Sequence, residues 1–195
     1  MFARFVLALV FGLTLVGTAS ANADAERFAQ NLIDQGTAIL NGGGERHARF
    51  HDFISRYIDA RKTALFTLGQ YRRGADEQTL SGFVDAFREY AIAIYESRLD
   101  QRKSDNLRVT GSTENKPGDV IVNAVTESRE GRQPTRVAVR LMGSSGNYKI
   151  VDVQVEGAWL SVEQRDQFAT LLGKNGGDIN ALITHLREQT ERIRR

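Results

Sequence analysis

Apolar positions recur at helical spacing through the first half of the chain and at a period of two through much of the second. From Asp24 to Leu40, Phe28, Leu32, Ile33, Ile39 and Leu40 approximate one helical face, and Asn41-Gly42-Gly43-Gly44 ends the pattern. From Glu45 to Ile58, Phe50, Phe53, Ile54, Tyr57 and Ile58 fall at i, i+3, i+4, i+7 and i+8, a clean apolar stripe. Asp59 is placed to cap a short third helix over Arg61 to Leu68. Gly69 closes it and Tyr71-Arg72-Arg73-Gly74 forms the link. Asp76 to Leu99 is the longest helical stretch, with Leu80, Phe83, Val84, Phe87, Ala91, Ile94 and Tyr95 on its face.

From Leu107 the character changes. Four segments carry strand pattern: Leu107–Thr113, Asp119–Thr126, Arg136–Met142 and Tyr148–Glu156. The breaks hold Lys116-Pro117-Gly118, Glu130-Gly131-Arg132 and Ser144-Ser145-Gly146-Asn147, all turn sequences. Breaks this short favour antiparallel pairing. In the last segment Val151, Val153 and Val155 alternate with Asp152, Gln154 and Glu156, which predicts one covered and one wet face. Gly157 is the hinge, Trp159 follows, and helices are predicted over Leu160–Leu172 and Asp178–Arg192 around Asn175-Gly176-Gly177. Helices, a four-stranded mainly antiparallel curved sheet and closing helices make an α+β fold with the sheet packed on a helical layer.

The apolar run Phe5–Val16 follows Arg4 and precedes small residues ending in Ala19-Ser20-Ala21-Asn22-Ala23. That is a secretory signal with two A-x-A sites, and residues 1–23 are read as the part removed, with a cut after Ala21 as the alternative. Residues 24–195 then form a single domain. The chain has no cysteine, so no disulfide supports it and packing must hold it together. Its formal charge is only +2 and its basic residues are scattered, which argues against a nucleic-acid partner.

Little in the sequence points to catalysis. His47 and His51 stand four apart, but Arg49 lies between them and no HExxH glutamate is present, so they read as solvent-facing and no metal is expected. The triple glycine lacks a preceding strand and the Lys-Ser/Thr of a phosphate loop. There is no thiol nucleophile and no G-x-S-x-G elbow. Asp152 is the acid to watch, paired with Tyr71 or Tyr148 if the chain is an enzyme, and otherwise a wet-face strand residue beside Arg136 or Arg140. The aromatics concentrated in the helical half read first as core, and more sharply as the wall of a cavity between helices and sheet.

The stretch FHDFISRYIDARKTALFTLGQYRR, residues 50–73, resembles the helical start of the MlaC-type family, the toluene-tolerance or ABC-transporter auxiliary proteins. So do Tyr95 and Arg98-Leu99, then VDVQVEG with Arg165 and Gln167-Phe168, and the last helix after Gly176-Gly177. The ordered set spans roughly residues 27–190. Arg72 stands where the family often has an aromatic, and the family's proline near Asp59-Ala60-Arg61 is absent. The Asn-Gly-Gly before the last helix is also found in a branch associated with hopanoid biosynthesis.

The resemblance implies a cystatin-like or nuclear-transport-factor-like cone with extra helices, and a periplasmic lipid shuttle without cofactor or catalytic residues. Its partners would be a phospholipid or other lipid, an outer-membrane lipoprotein complex, and the substrate-binding subunit of an inner-membrane ABC transporter. Acyl chains would insert between helices and sheet. On this sequence the lining candidates are Phe50, Phe53, Tyr57, Leu65, Leu68, Phe83, Phe87 and Ile94 from the helices, with Val137, Val139, Val151 and Val153 from the strands. Two further readings stay open: a small enzyme using Asp152, and an assembly factor with a solid core.

Overall fold

The computed structural model describes residues 22–42, 44–100, 106–127 and 133–195, with the side chains of 98–100 excepted. The signal-like run Phe5–Val16, Gly43 and the predicted Glu130-Gly131-Arg132 turn lie outside the described residues.

Among the described residues six α-helices accompany one sheet: α1 Ala23–Asn41, α2 Arg46–Tyr57, α3 Ala60–Leu68, α4 Glu77–Asp100, α5 Leu160–Lys174 and α6 Ile179–Arg194. A 3₁₀ turn, Gly69–Arg72, leaves α3. Their starts are set by local chemistry. Asn22 accepts from the Ala25 amide at 3.0 Å, Asp59 from Lys62 at 2.9 Å, Asp76 from Thr79 at 2.8 Å and Asp178 from Asn180 at 2.8 Å. Each bond satisfies an amide that the helix itself leaves unpaired. Gly69 ends α3 at φ +56°, a conformation that costs glycine nothing. No helix among the described residues is long and apolar enough to cross a membrane.

The strands are β1 Asn106–Lys116, β2 Asp119–Glu127, β3 Arg136–Met142, β4 Lys149–Val155 and β5 Ala158–Trp159. They pair in chain order, every pair antiparallel, as an open meander. The sheet therefore has five strands, not the four expected. Glu156 and Gly157 both take positive φ, 49° and 88°, and the two-residue turn folds Ala158 back onto Val155 and Trp159 onto Gln154. Two positive-φ residues match the right-handed twist of a hairpin, so the glycine read as a hinge is half of a tight turn.

A second departure lies inside β4. Arg140 pairs with Asp152, yet the next residue, Leu141, pairs with Ile150, so Val151 is the extra residue of a β-bulge. The strict alternation of Val151, Val153 and Val155 is broken. Ile150 and Val153 share the face carrying Val139 and Leu141, because a one-residue insertion flips every side chain beyond it.

Three apolar clusters form among the described residues. Helices α3 to α6 bury Ala64, Leu68, Phe83, Phe87, Phe168, Leu172 and Leu186, with Phe168 edge-on to Phe83 and Phe87 at centroid distances of 5.9 and 6.3 Å. Helix α1 lays Ala25 and Ala29 against Val120, Val122 and Leu141 of the sheet. Phe50 and Ile54 of α2 meet Ile92 of α4 in the third cluster. The α2–α3 junction ties the helices to the free edge of β4: the Asp59 amide donates to the Ile150 carbonyl at 2.9 Å, and Thr63 Oγ1 to that of Val151 at 2.8 Å.

Candidate functional site: a cleft between helices and sheet

The three clusters meet at a cleft. Phe87, Tyr90 and Ala91 bring the helical core to it, Ile150 the α1–sheet core, and Ile54, Ile58 and Tyr95 the α2–α4 core. The helical cluster is the main core and the other two are smaller satellites, and the cleft lies where the three stop short of one another. Ile94, Val151, Val153 and Leu160 complete the apolar wall, and Thr63, Ser161, Gln164 and Gln167 add neutral polar groups. Four consecutive β4 residues, Ile150 to Val153, reach the cleft, which an alternating strand cannot arrange and the bulge allows.

Of the lining candidates taken from the sequence, Phe87, Ile94, Val151 and Val153 stand at this cleft. The others stand elsewhere. Leu68 and Phe83 are buried in the helical core, with Leu65 packed against it. Phe50 is buried beneath α2 with Phe53 against it, and Tyr57 bridges the Phe53 and Phe28 rings at 5.1 and 6.1 Å. Val139 packs on the α1–sheet cluster, and Val137 is half-buried on β3, opposite Val155 and Ala124. Ile54, Ile58, Tyr90, Ala91 and Tyr95 reach the cleft without having been among the candidates. Ile54, Ile58, Ala91 and Tyr95 already stood in the α2 and α4 stripes, and only Tyr90 lay beside them; the stripes are wider than one packed neighbour requires.

Asp152 lines the cleft instead of facing solvent, and its charge is used structurally. Helix α5 begins after Trp159, which supplies no capping side chain. Asp152 caps it from the neighbouring strand, accepting from the Ser161 amide at 3.1 Å and from the Ser161 hydroxyl, and also from the Val153 amide at 2.9 Å. The basic neighbours expected for it have other partners. Arg136 pairs with Glu156 at 3.3 Å. Arg140 stands opposite Asp152 in register, but its fork donates to Asp119 at 2.8 and 2.7 Å. The Asp119 side chain is only 3% exposed, and the Arg140 hydrogen bonds, outweighing burial, hold its carboxyl below the usual range.

Neither tyrosine proposed to work with Asp152 lines the cleft. Tyr148 is buried against Phe28, its hydroxyl 3.5 Å from the Asn22 side chain, and Tyr71 packs on Gly177 after α5. The two histidines are not simply solvated. His47 Nδ1 lies 2.7 Å from Glu96 and His51 Nε2 lies 3.2 Å from Glu89, so both clasp α2 to α4. Burial raises the Glu89 carboxyl, but hydrogen bonds from Arg194 and His51 outweigh it and hold it below its ordinary value. No group of three metal-ligating side chains occurs among the described residues.

The family model described as MlaC protein matches residues 25–188. Among solved structures, the chain is similar to a phospholipid-binding protein from Ralstonia solanacearum, determined in complex with a phospholipid. The likeness has a TM-score of 0.75 at 20% identity and covers 89% of this chain and 100% of that one. No curated protein matches the sequence.

Proposed function

The chain belongs to the MlaC family, and from that premise we propose that it is a periplasmic lipid carrier that holds phospholipid acyl chains in the cleft between α2, α4, α5 and β4. The observation that carries this reading is the meeting of three apolar clusters at one gap. A sixteen-carbon chain exposed to water costs about 12 kcal/mol at ~0.8 kcal/mol per methylene. A carrier offsets that with apolar wall and needs little directed chemistry. The phospholipid held by the Ralstonia solanacearum neighbour supports the same ligand class here. Hopanoid or another apolar cargo is the alternative that an unspecific wall would also accept.

The cleft encloses about 130 Å³, below the ~300–1,000 Å³ of ordinary ligand sites. Loading a lipid therefore requires the helices to part. The α2–α4 seam is the one proposed to part: its two His–Glu contacts have both histidines more than a third exposed, so they hold the helices weakly. A narrow cleft is also what a solid-cored assembly factor would have, and lipid content separates the two. Native mass spectrometry of protein prepared from the exported fraction is expected to show a co-purifying lipid. Lipid-free protein that extracts nothing from vesicles refutes the carrier.

In this reading the carrier moves lipid between an outer-membrane lipoprotein complex and the periplasmic substrate-binding subunit of an inner-membrane ABC transporter. Residues 1–21 are removed on export. The Asn22 side-chain oxygen caps α1 and its side-chain amide donates to Glu114 at 3.3 Å, while the Asn22 backbone amide donates to the Ser112 hydroxyl at 2.8 Å, itself bonded to Glu26. A cut after Ala23 would discard that cap. A cut after Ala21 leaves a new ammonium among these carboxylates. The mature mass is expected to begin at Asn22, and a mass beginning at Asp24 overturns this choice.

A further inference from the structure

Beside the cleft lies an open hollow of about 460 Å³ lined by Ser55, Ile58, Asp59, Arg61, Arg88 and Lys149, with Ala60 between. Ile58, Ala60 and Arg88 border both spaces, so cleft and hollow are immediate neighbours across these three residues. Three cations and one carboxylate line the hollow. Asp59 is already committed to the start of α3 through the Lys62 amide. The cleft's own acids, Asp152 and Glu163, are not part of the hollow.

The cations are held but not saturated. Lys149 donates once, to the Arg56 carbonyl, and an ammonium carries three donors. Arg61 pairs with Glu77 at 2.8 Å, and Arg88 makes a single contact with Asp85 at 3.2 Å. Glu77 and Asp85 are 72% and 61% exposed and lie outside the hollow, so water screens both pairs. A phosphodiester in the hollow would meet two guanidinium forks, which suit its oxygens, together with a point charge and the Ser55 hydroxyl.

We propose that this hollow is a head-group subsite and that it makes the carrier selective for phospholipids of net negative charge over zwitterionic ones. The inference rests on the carrier reading and adds the class of head group. Acyl chains occupy the cleft past Ile58 and Arg88 while the phosphate lies among Arg61, Arg88 and Lys149. An ethanolamine ammonium brought into the same hollow meets like charge, and a glycerol does not.

The test uses the full mature chain equilibrated with vesicles of equal phosphatidylglycerol and phosphatidylethanolamine, with bound lipid extracted and quantified. Phosphatidylglycerol is expected to be enriched about threefold or more at low salt, with the preference shrinking at 0.5 M salt. In Arg88→Gln and Lys149→Gln the ratio is expected to fall toward that of the vesicle, with thermal melts verifying that each variant is folded. A ratio near one in the unaltered protein, or one unchanged in both folded variants, overturns the subsite and leaves the carrier standing. No lipid of either kind overturns the carrier, and the subsite with it. Inorganic phosphate is titrated separately: saturation of the hollow by the free ion at micromolar concentration, with lipid uptake unaffected, overturns its assignment to a lipid head group.

Discussion

Asp152 illustrates how one residue's role depends on what it meets. In sequence it alternates with valines and reads as a wet strand position. In the structure it supplies the cap that Trp159 does not, on a helix reached only after a hairpin. Asp152→Ala is expected to lower stability by about 1 kcal/mol, the usual worth of an N-cap, with Asp152→Asn losing less because it keeps an acceptor oxygen. Urea midpoints at unchanged slope measure this. The Asp59 cap is read from the sequence because donor and acceptor lie within three residues of one another; Asp76 and Asp178, read there only as helix starts, cap by the same local geometry.

Asp119 gives the pH dependence at this scale. Arg140 holds its carboxyl below the ordinary value, so the unfolded chain takes up the proton first as pH falls. The ion pair therefore contributes fully above the unfolded carboxyl's ordinary value of about 3.9, and its contribution is lost as pH falls from there through the lower folded value. Arg140 is 41% exposed, which discounts the pair to about 1–2 kcal/mol. Asp119→Asn is expected to cost that amount at pH 7, and the gap between the two proteins should begin to narrow near pH 4 and keep narrowing as pH falls through the lowered folded value. A gap that stays constant down to pH 2.5 in acid-unfolding curves refutes the assignment.

At the scale of elements, the four longer strands and all six helices were legible, because a period of 3.6 or 2 is a local property of the chain. The β5 hairpin and the β4 bulge were not. Both are decided by pairing across strands, and the spacing of valines is the same with or without an extra residue in the ladder. The β3–β4 turn has the tightest backbone approach. A Cβ at Gly143, whose φ is +132°, would lie 2.3 Å from the Asn147 carbonyl oxygen. Gly143→Ala is expected to cost about 2 kcal/mol or more, since backbone must move. Gly146→Ala, also at positive φ but in open space, should cost about 1 kcal/mol. Equal losses in thermal unfolding would refute the steric reading.

At the scale of the whole molecule, three apolar clusters meet around one gap, with the α2–α3 junction and α5 hydrogen-bonded to β4 and α2 joined to α4 through two His–Glu contacts. Filling the gap is the direct test. Ala91→Trp places an indole where α4 borders the cleft. It is expected to reduce lipid recovered from vesicles at least tenfold, an effect of about 1.4 kcal/mol, while the buried cluster around Phe83 and Phe168 keeps the protein folded. Undiminished lipid content in the folded variant would place the ligand elsewhere.

The amino-acid sequence by itself determined the six helices and the four longer strands, most of their ends, the apolar faces of α1 to α4 and the family. Those depend on neighbours a few residues apart, and on an ordered set of residues recognisable without coordinates. Only the tertiary structure decided which of those apolar residues line the cleft, that Asp152 works as a cap, and that Arg61, Arg88 and Lys149 share a hollow. A helical stripe specifies that a face will be covered. What covers it is set by contacts between residues far apart in the chain, here by where three cores stop short of one another.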